Sequence, residues 1–169
     1  MDIKVLITEQ EIASRTRELA KQIQKDYNNE EIVIVCILKG ATFFAVELAK
    51  RIDSDTIIDF MKVSSYEGTE STGKINFTLD ISEDITGKNV LIVEDIVDTG
   101  RTLAYVKKYL ESKNPKNVKI CTMLNKKERR VIDLNPEYVA FDIPDKFVIG
   151  FGLDYDEKYR NLPYVGYLE

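Results

Sequence analysis

The residues best suited to chemistry lie between positions 94 and 102. Glu94 and Asp95 follow the apolar run Val90–Val93, and a short spacer separates them from Asp98-Thr99-Gly100-Arg101-Thr102. Backbone N–H groups at the start of a helix point toward an anion, and the helix dipole favours negative charge there. Carboxylates repel a phosphate but accept hydrogen bonds from neutral sugar hydroxyls. The run indicates a site for a phosphorylated sugar, although most acidic turns of this kind are only a strand end and a helix cap.

The composition restricts the chemistry that this site can perform. The chain contains no histidine, so both the usual base at neutral pH and the commonest transition-metal ligand are missing. Carboxylates must therefore carry any acid–base step. Without histidine or closely spaced cysteines a zinc site is not favoured, whereas Mg²⁺ binds through oxygen ligands and substrate phosphates and fits this sequence.

Length, charge and cysteine usage restrict the setting. A chain of 169 residues suits a single domain that buries roughly 70% of its unfolded surface. The net charge of -5 argues against nucleic acid as the main partner. Cys36 and Cys121 lie in apolar runs, which is typical of buried thiols in a reducing compartment. Because there is neither a secretory apolar region nor a stretch of about 20 apolar residues, we expect a soluble cytoplasmic protein with no membrane partner.

The hydrophobic pattern predicts alternating strands and helices. Thr8, with Glu11 three residues later, is a capping signal for an amphipathic helix that runs to about Tyr27. Further helices are predicted around 43–48 and 101–112, and strands around 32–38, 56–63, 77–81, 90–93, 118–124 and 138–141. This alternation is typical of an α/β fold with a central, mainly parallel, twisted sheet flanked by helices.

Several polar segments follow the predicted strands. Lys39-Gly40 follows the first core strand, Glu94-Asp95 follows a later one, and Lys126 follows the strand that ends near Leu124. Ligands of such sheets bind beyond the carboxyl ends of the strands, so we expect these residues to face one crevice. The polar stretch 64–74 is rich in turn-forming residues and is predicted to be a mobile lid.

The run 90–103 resembles the phosphoribosyl pyrophosphate motif of the type I phosphoribosyltransferases, a hydrophobic strand followed by two acids, a spacer and Thr-Gly-X-Thr. The Glu-Asp opening and Asp98 are most similar to the hypoxanthine-guanine branch of that family. Leu38-Lys39-Gly40 resembles the pyrophosphate loop of the same enzymes. Ser65-Tyr66 resembles their mobile loop, whose closure excludes water from a reaction in which hydrolysis competes.

Two further segments carry the same resemblance. Lys126 matches the position that donates to the purine 6-oxo group, although Lys127 beside it leaves the register open by one residue. The run 143–163 resembles the base-binding hood. The resemblance implies that Phe147 stacks on the purine, that the Val148 backbone meets its 2-position edge, that Asp154 helps to hold Mg²⁺ and that Arg160 contacts pyrophosphate. Taken alone, the Phe147-Val148 pair is better interpreted as two core residues, and Asp154 could be a turn residue.

The resemblance, which spans residues 34–162, implies the type I phosphoribosyltransferase fold in one domain, residues 1–169. Its core would cover about 30–142, and its hood about 143–169 with the N-terminal segment. Implied substrates are phosphoribosyl pyrophosphate, hypoxanthine and guanine. The implied metal is Mg²⁺, held by Glu94, Asp95 and Asp154, and Asp98 would assist at purine N7. Family members commonly form homodimers or homotetramers.

Three alternatives stay open at this point. A transferase that uses xanthine or a pyrimidine would keep the same sugar-phosphate site. A regulatory relative could use that site as a sensor and bind RNA, although the acidic charge argues against this reading. A non-enzymatic binding module could keep the phosphate turn alone, but the full set of acid, lid and hood residues favours an enzyme.

Overall fold

The computed structural model describes residues 2–65 and 75–169, and it contains one large and one small sheet. The large sheet has the strand order β4-β3-β2-β5-β6-β7. Its strands are β2 (Ile32–Ile37), β3 (Thr56–Ser65), β4 (Ile75–Leu79), β5 (Asn89–Val97), β6 (Asn117–Asn125) and β7 (Tyr138–Asp142). All neighbouring pairs are parallel except β3 and β4, which are antiparallel. The predicted mainly parallel α/β sheet is confirmed.

Helices cover both faces of this sheet. Helices α1 (Glu9–Asp26) and α2 (Thr42–Ala49) pack on one face, and α3 (Arg101–Glu111) packs on the other. Successive residues of a strand point to opposite faces, so Ile34 of β2 belongs to the first core and Val35 to the second. The central strands can therefore be apolar throughout, and every residue of β2 is buried.

The start of α1 forms as the sequence predicts. The Thr8 hydroxyl accepts a hydrogen bond from the Glu11 backbone N–H, and the Glu11 carboxylate accepts one from the Thr8 backbone N–H. This reciprocal capping box satisfies two N–H groups that otherwise lack partners at a helix start. It fixes the residue at which the chain enters α1.

The small sheet was not predicted as strands. It consists of β1 (Ile3–Ile7), β8 (Val148–Ile149) and β9 (Val165–Leu168) in the antiparallel order β1-β9-β8. These strands are short, and β1 and β9 pair from opposite ends of the chain. The hydrophobic periodicity of a short segment cannot reveal that it pairs with a strand far away in the sequence.

The structure corrects the predicted end of β5. The strand does not end at Val93 but continues to Val97, so Glu94 and Asp95 lie inside it. The pairing of β5 with β2 stops where Cys36 meets Val93, whereas its pairing with β6 runs on to Val97 opposite Asn125. Glu94 and Asp95 are half-buried, and they reach the crevice because β2 no longer pairs beside them, not because their own strand has ended.

Both cysteines are free and buried, as expected. Burial raises the pKa of the Cys36 thiol to about 11 and that of Cys121 further still. Both thiols are therefore protonated at neutral pH and unreactive where they lie. Among the described residues, none of the helices combines the length and apolar character needed to cross a bilayer.

Candidate active site

The site lies where the order of the strands reverses. From β2 the chain proceeds to β3 on one side, and it later returns to β5 on the other side of β2. The loops that leave β2 and β5 therefore diverge, and a crevice opens between them at the carboxyl ends of the strands. Lys39-Gly40 follows β2 and the Asp98–Thr102 turn follows β5. Both segments meet at this edge as predicted.

Glu94 and Asp95 project to opposite faces of β5. Glu94 lines a cavity of about 380 Å³ that it shares with the Asp98–Thr102 turn. Asp95 lies against Gly40, where a Cβ atom would come within 1.8 Å of the Asp95 Oδ2 atom. A side chain at position 40 has no room, so glycine allows the β2 loop to reach Asp95.

The two carboxylates are costly to ionise together. Burial raises the pKa of Glu94 well above its usual value, and the charge of Asp95 raises it further. Burial also raises the pKa of Asp95, while hydrogen bonds from Glu94 and backbone N–H groups and the positive charge of Arg160 oppose that rise. Hydrogen-bond donors or a cation at this point would stabilise the ionised pair.

The turn between β5 and α3 carries the geometry of an anion site. Gly100 has a φ of 85° and immediately precedes α3, so it adopts a left-handed conformation that favours glycine. Thr99, Gly100 and Thr102 line the 380 Å³ cavity, with Arg129 as a further cationic side chain in its wall. Arg101 is exposed at the first position of the helix. The Arg101 backbone N–H donates to the Thr99 hydroxyl at 3.4 Å, and the N–H groups of a first helical turn point beyond the start of the helix, toward this side.

Of the two adjacent lysines that follow β6, Lys126 and Lys127, Lys126 is the buried one. Its Nζ lies 3.8 Å from Asp98 Oδ1 and 3.6 Å from Asp145 Oδ1, and only 10% of its side chain is exposed. The Lys127 side chain is 72% exposed and pairs with Asp142. Asp98 Oδ1 is itself buried and has no hydrogen-bond partner. Lys126 and Asp98 thus offer one donor and one acceptor at the same point.

The Lys39-Gly40 loop packs against the segment after β8. The Leu38–Lys39 peptide bond is cis. A Cβ atom at Gly152 would lie 2.0 Å from the Gly40 carbonyl oxygen, so the two backbones are in close contact. Lys39 Nζ donates to Glu157 Oε2 at 2.9 Å. Residues from opposite ends of the chain therefore form one wall of the crevice.

The predicted hood residues divide into exposed and buried ones. Phe147 is 60% exposed and contacts the Tyr155 ring edge-on, whereas Val148 is buried in the core. Asp154 Oδ2 accepts a hydrogen bond from the Glu157 backbone N–H. Arg160 donates to the Gly152 carbonyl at 2.6 Å and lies 3.5 Å from Asp154 Oδ1. The exposed ring of Phe147 is available for stacking on a flat ligand.

The lid prediction falls largely outside the described residues. Ser65 is the last residue of β3, and Tyr66 belongs to the segment 66–74, of which the structure gives no description.

Sequence reasoning missed three side chains at this site. Glu157 joins Lys39 to Arg160, Asp145 faces Lys126, and Arg129 lines the 380 Å³ cavity. Arg130 passes behind the turn, because a Cβ atom at Gly100 would meet its Cδ at 3.1 Å. The adjacent Arg129-Arg130 pair after a predicted strand was a visible signal for added positive charge. Glu157 gave no such signal, because its partner Lys39 is 118 positions away.

The fold and the site together define a class of protein. A family model described as the phosphoribosyl transferase domain matches residues 5–156. The chain belongs to the phosphoribosyl transferase family, and the expected family and fold are confirmed.

Particular relatives are similar over nearly the whole chain. The hypoxanthine-guanine phosphoribosyltransferase of Streptococcus thermophilus is 47% identical, with 98% of this chain and 93% of that protein covered. The protein of the same name from Lactococcus lactis is 48% identical, with coverage of 98% and 91%. A crystal structure of a hypoxanthine-guanine phosphoribosyltransferase from Bacillus anthracis, with a HEPES molecule in its active site, has a TM-score of 0.96. It is 48% identical, and the match covers 99% of this chain and 100% of that chain.

Proposed function

We propose that the protein transfers the 5-phosphoribosyl group from phosphoribosyl pyrophosphate to hypoxanthine and guanine, giving IMP, GMP and pyrophosphate in purine salvage. The main observation in support of this proposal is that three groups lie together at the carboxyl edge of the large sheet. These are the acid pair with its phosphate turn, the Lys39-Gly40 loop and the buried Lys126. The names of the similar proteins support the choice of base.

The sugar phosphate would bind across the end of β5. Thr99, Gly100, Arg101 and Thr102 would hold the 5-phosphate through backbone N–H groups and hydroxyls, since such groups favour an anion at a helix start. Glu94 and Asp95 would accept hydrogen bonds from the ribose hydroxyls. This arrangement orients the sugar carbon toward the hood, so that transfer becomes a step between fixed neighbours.

The purine would lie between β6 and the hood. Lys126 would donate to the 6-oxo group, Phe147 would stack on the ring and the Val148 backbone would meet the 2-position edge. Adenine carries an amino donor at position 6 and could not satisfy Lys126. Asp98, whose buried Oδ1 has no hydrogen-bond partner, would accept the proton at purine N7.

Pyrophosphate would leave through the wall formed by Lys39, Gly40 and Arg160. Two cationic side chains and the loop backbone would stabilise the negative charge that develops on the leaving group. Closure of a lid that includes Ser65 and Tyr66 would keep water from the sugar carbon.

Magnesium is the cofactor that we propose. Within the described residues no group of three or more acidic side chains is close enough to hold a metal alone. Mg²⁺ normally takes only one or two carboxylates and completes its shell with water and substrate phosphates. The acid pair of Glu94 and Asp95 fits this requirement because burial disfavours its full charge, and Asp154 would add a ligand from the hood. Bound Mg²⁺ would neutralise charge on the pyrophosphate.

We further propose a single-domain cytoplasmic enzyme that forms a homodimer or homotetramer, with small molecules rather than nucleic acid as partners. The helix α2 supports self-association. Phe43 and Val46 lie on one face of this helix, and 40% and 42% of their surfaces are exposed. A second copy of the chain would bury this apolar face.

The decisive experiment incubates the purified protein with Mg²⁺, phosphoribosyl pyrophosphate and one base at a time, and follows nucleotide formation by chromatography. The bases are hypoxanthine, guanine, xanthine, adenine and uracil. We expect IMP and GMP, and we expect no product when EDTA replaces Mg²⁺. XMP or UMP as the main product would overturn the choice of base, and no nucleotide from any base would overturn the proposed activity.

A further inference from the structure

One carboxylate at the edge of the site holds two cations at once. Glu157 Oε2 accepts from Lys39 Nζ at 2.9 Å, and Glu157 Oε1 accepts from Arg160 Nη2 at 3.2 Å. Each oxygen of the carboxylate therefore serves a different cation. These are the two side chains that we propose for pyrophosphate, so Glu157 lies on the leaving-group side of the crevice.

The turn around Glu157 directs its side chain to this place. Asp156 and Glu157 have φ angles of 54° and 64°, a region that non-glycine residues rarely adopt. Asp154 Oδ2 accepts from the Glu157 N–H at 2.9 Å, and Tyr155 and Lys158 exchange two backbone hydrogen bonds. These contacts keep the turn in an unusual conformation that brings Glu157 to Lys39 and Arg160.

The contacts of Glu157 are the ones most easily exchanged. The side chains of Glu157 and Lys39 are 63% and 50% exposed, and exposed ion pairs of this kind are weak. Arg160 is more firmly held, because only 22% of its side chain is exposed and it also donates to the Gly152 carbonyl. An incoming anion would therefore find Arg160 in place and displace Glu157.

We infer that Glu157 competes with pyrophosphate for Lys39 and Arg160 and so weakens the binding of this product; the inference rests on the proposed function. A phosphoryl group and a carboxylate both offer anionic oxygens to the same cationic donors. Their like charges repel, so the two cannot share Lys39 and Arg160 at full strength. The return of Glu157 to both cations then favours departure of pyrophosphate.

The test compares Glu157→Gln with the intact protein. Glutamine keeps the size and the backbone of the residue but removes its negative charge. Titration of Mg²⁺-pyrophosphate by calorimetry should give a Kd lower by roughly two- to fivefold, the range expected for one exposed charge pair. Inhibition of nucleotide formation by added pyrophosphate should strengthen by the same factor.

Asp156→Asn is the matched control. Asp156 is the neighbouring acid on the same exposed turn, and the described residues include no ion pair to it. This variant loses the same charge and should bind pyrophosphate as the intact protein does. If both variants bound Mg²⁺-pyrophosphate more tightly by the same factor, the effect would be a general one of charge, and the inference that Glu157 competes would be overturned.

An unchanged or weaker affinity in Glu157→Gln would also overturn the inference. The behaviour of the intact protein tests the proposed function separately. If the intact protein neither binds Mg²⁺-pyrophosphate nor forms nucleotide, the activity itself is wrong. If the intact protein does both and only the Glu157 comparison fails, the activity stands and the role of Glu157 does not.

Discussion

In the proposed function, Lys126 is the residue on which the choice of base depends most. Its side chain is only 10% exposed, and its Nζ lies 3.8 Å from Asp98 Oδ1 and 3.6 Å from Asp145 Oδ1. Lys126→Met removes this donor and leaves a purine oxygen unpaired, which should lower kcat/KM for hypoxanthine by roughly 10- to 100-fold. Lys127→Met is the control, because the Lys127 side chain is 72% exposed and pairs with Asp142. Steady-state kinetics of both variants provide the test, and equal effects would remove Lys126 from base recognition.

Asp98 is the residue to which we assign the proton at N7. Asp98→Asn keeps the shape of the side chain but cannot accept that proton, so we expect kcat to fall on the order of 10²- to 10⁴-fold. Asp145→Asn is a useful comparison, because Asp145 also faces Lys126 at 3.6 Å. If both variants lose the same activity, the effect comes from the charge around Lys126 and not from proton transfer.

The sequence predicts individual site residues that follow strands, and it misses residues whose partners are distant in the sequence. Glu94 follows the apolar part of β5, Asp98 follows the end of β5 and Lys126 follows β6, so their meeting could be inferred from the sheet. The choice between Lys126 and Lys127 needed the burial that the structure provides. Glu157 could not be found, because an acid in a polar turn acquires its role only when Lys39 is brought beside it.

Among the elements, the loop between β2 and α2 is the most restricted in space. Gly40→Ala would place a Cβ atom 1.8 Å from Asp95 Oδ2, so either the loop or Asp95 must move. Because both belong to the proposed substrate site, we expect kcat/KM to fall on the order of 10²-fold. The measurement is the initial rate over a range of phosphoribosyl pyrophosphate concentrations.

Gly87→Ala is the control for this change. Gly87 has a φ of 71° and no atom within 4 Å of an added Cβ. We therefore expect a loss of stability of about 1 kcal/mol and an unaltered kcat/KM. A Gly40→Ala variant with the kinetics of the Gly87→Ala variant would show that the close approach to Asp95 does not matter.

The elements of the large sheet were predictable because each carries its own signal. Buried parallel strands read as continuous apolar runs, and α1 begins at a capping box. The acidic end of β5 was read as a turn because carboxylates are unusual inside a strand. The structure accommodates them by ending β2 early, which only the strand pairing reveals. The short strands of the small sheet carry no comparable signal.

For the whole molecule, we expect self-association through α2. Val46→Asp places a charge on the exposed apolar face of this helix and should lower the mass found by light scattering to that of one chain. Val5→Asp is the control, since Val5 is 53% exposed on β1 of the small sheet. An intact protein that is already a single chain at micromolar concentration would contradict this expectation.

The two buried thiols have a practical value for the molecule as a whole. Cys36 lies opposite Val93 on one side of β5, and Cys121 lies opposite Val93 on the other. Both are one position before the row that contains Glu94. Both side chains belong to the core between the large sheet and helices α1 and α2, so a thiol reagent can reach either sulfur only when that core opens. The rates at which the two cysteines are labelled would therefore time the opening of this core over the two strands that flank the acid pair, with no probe added to the chain.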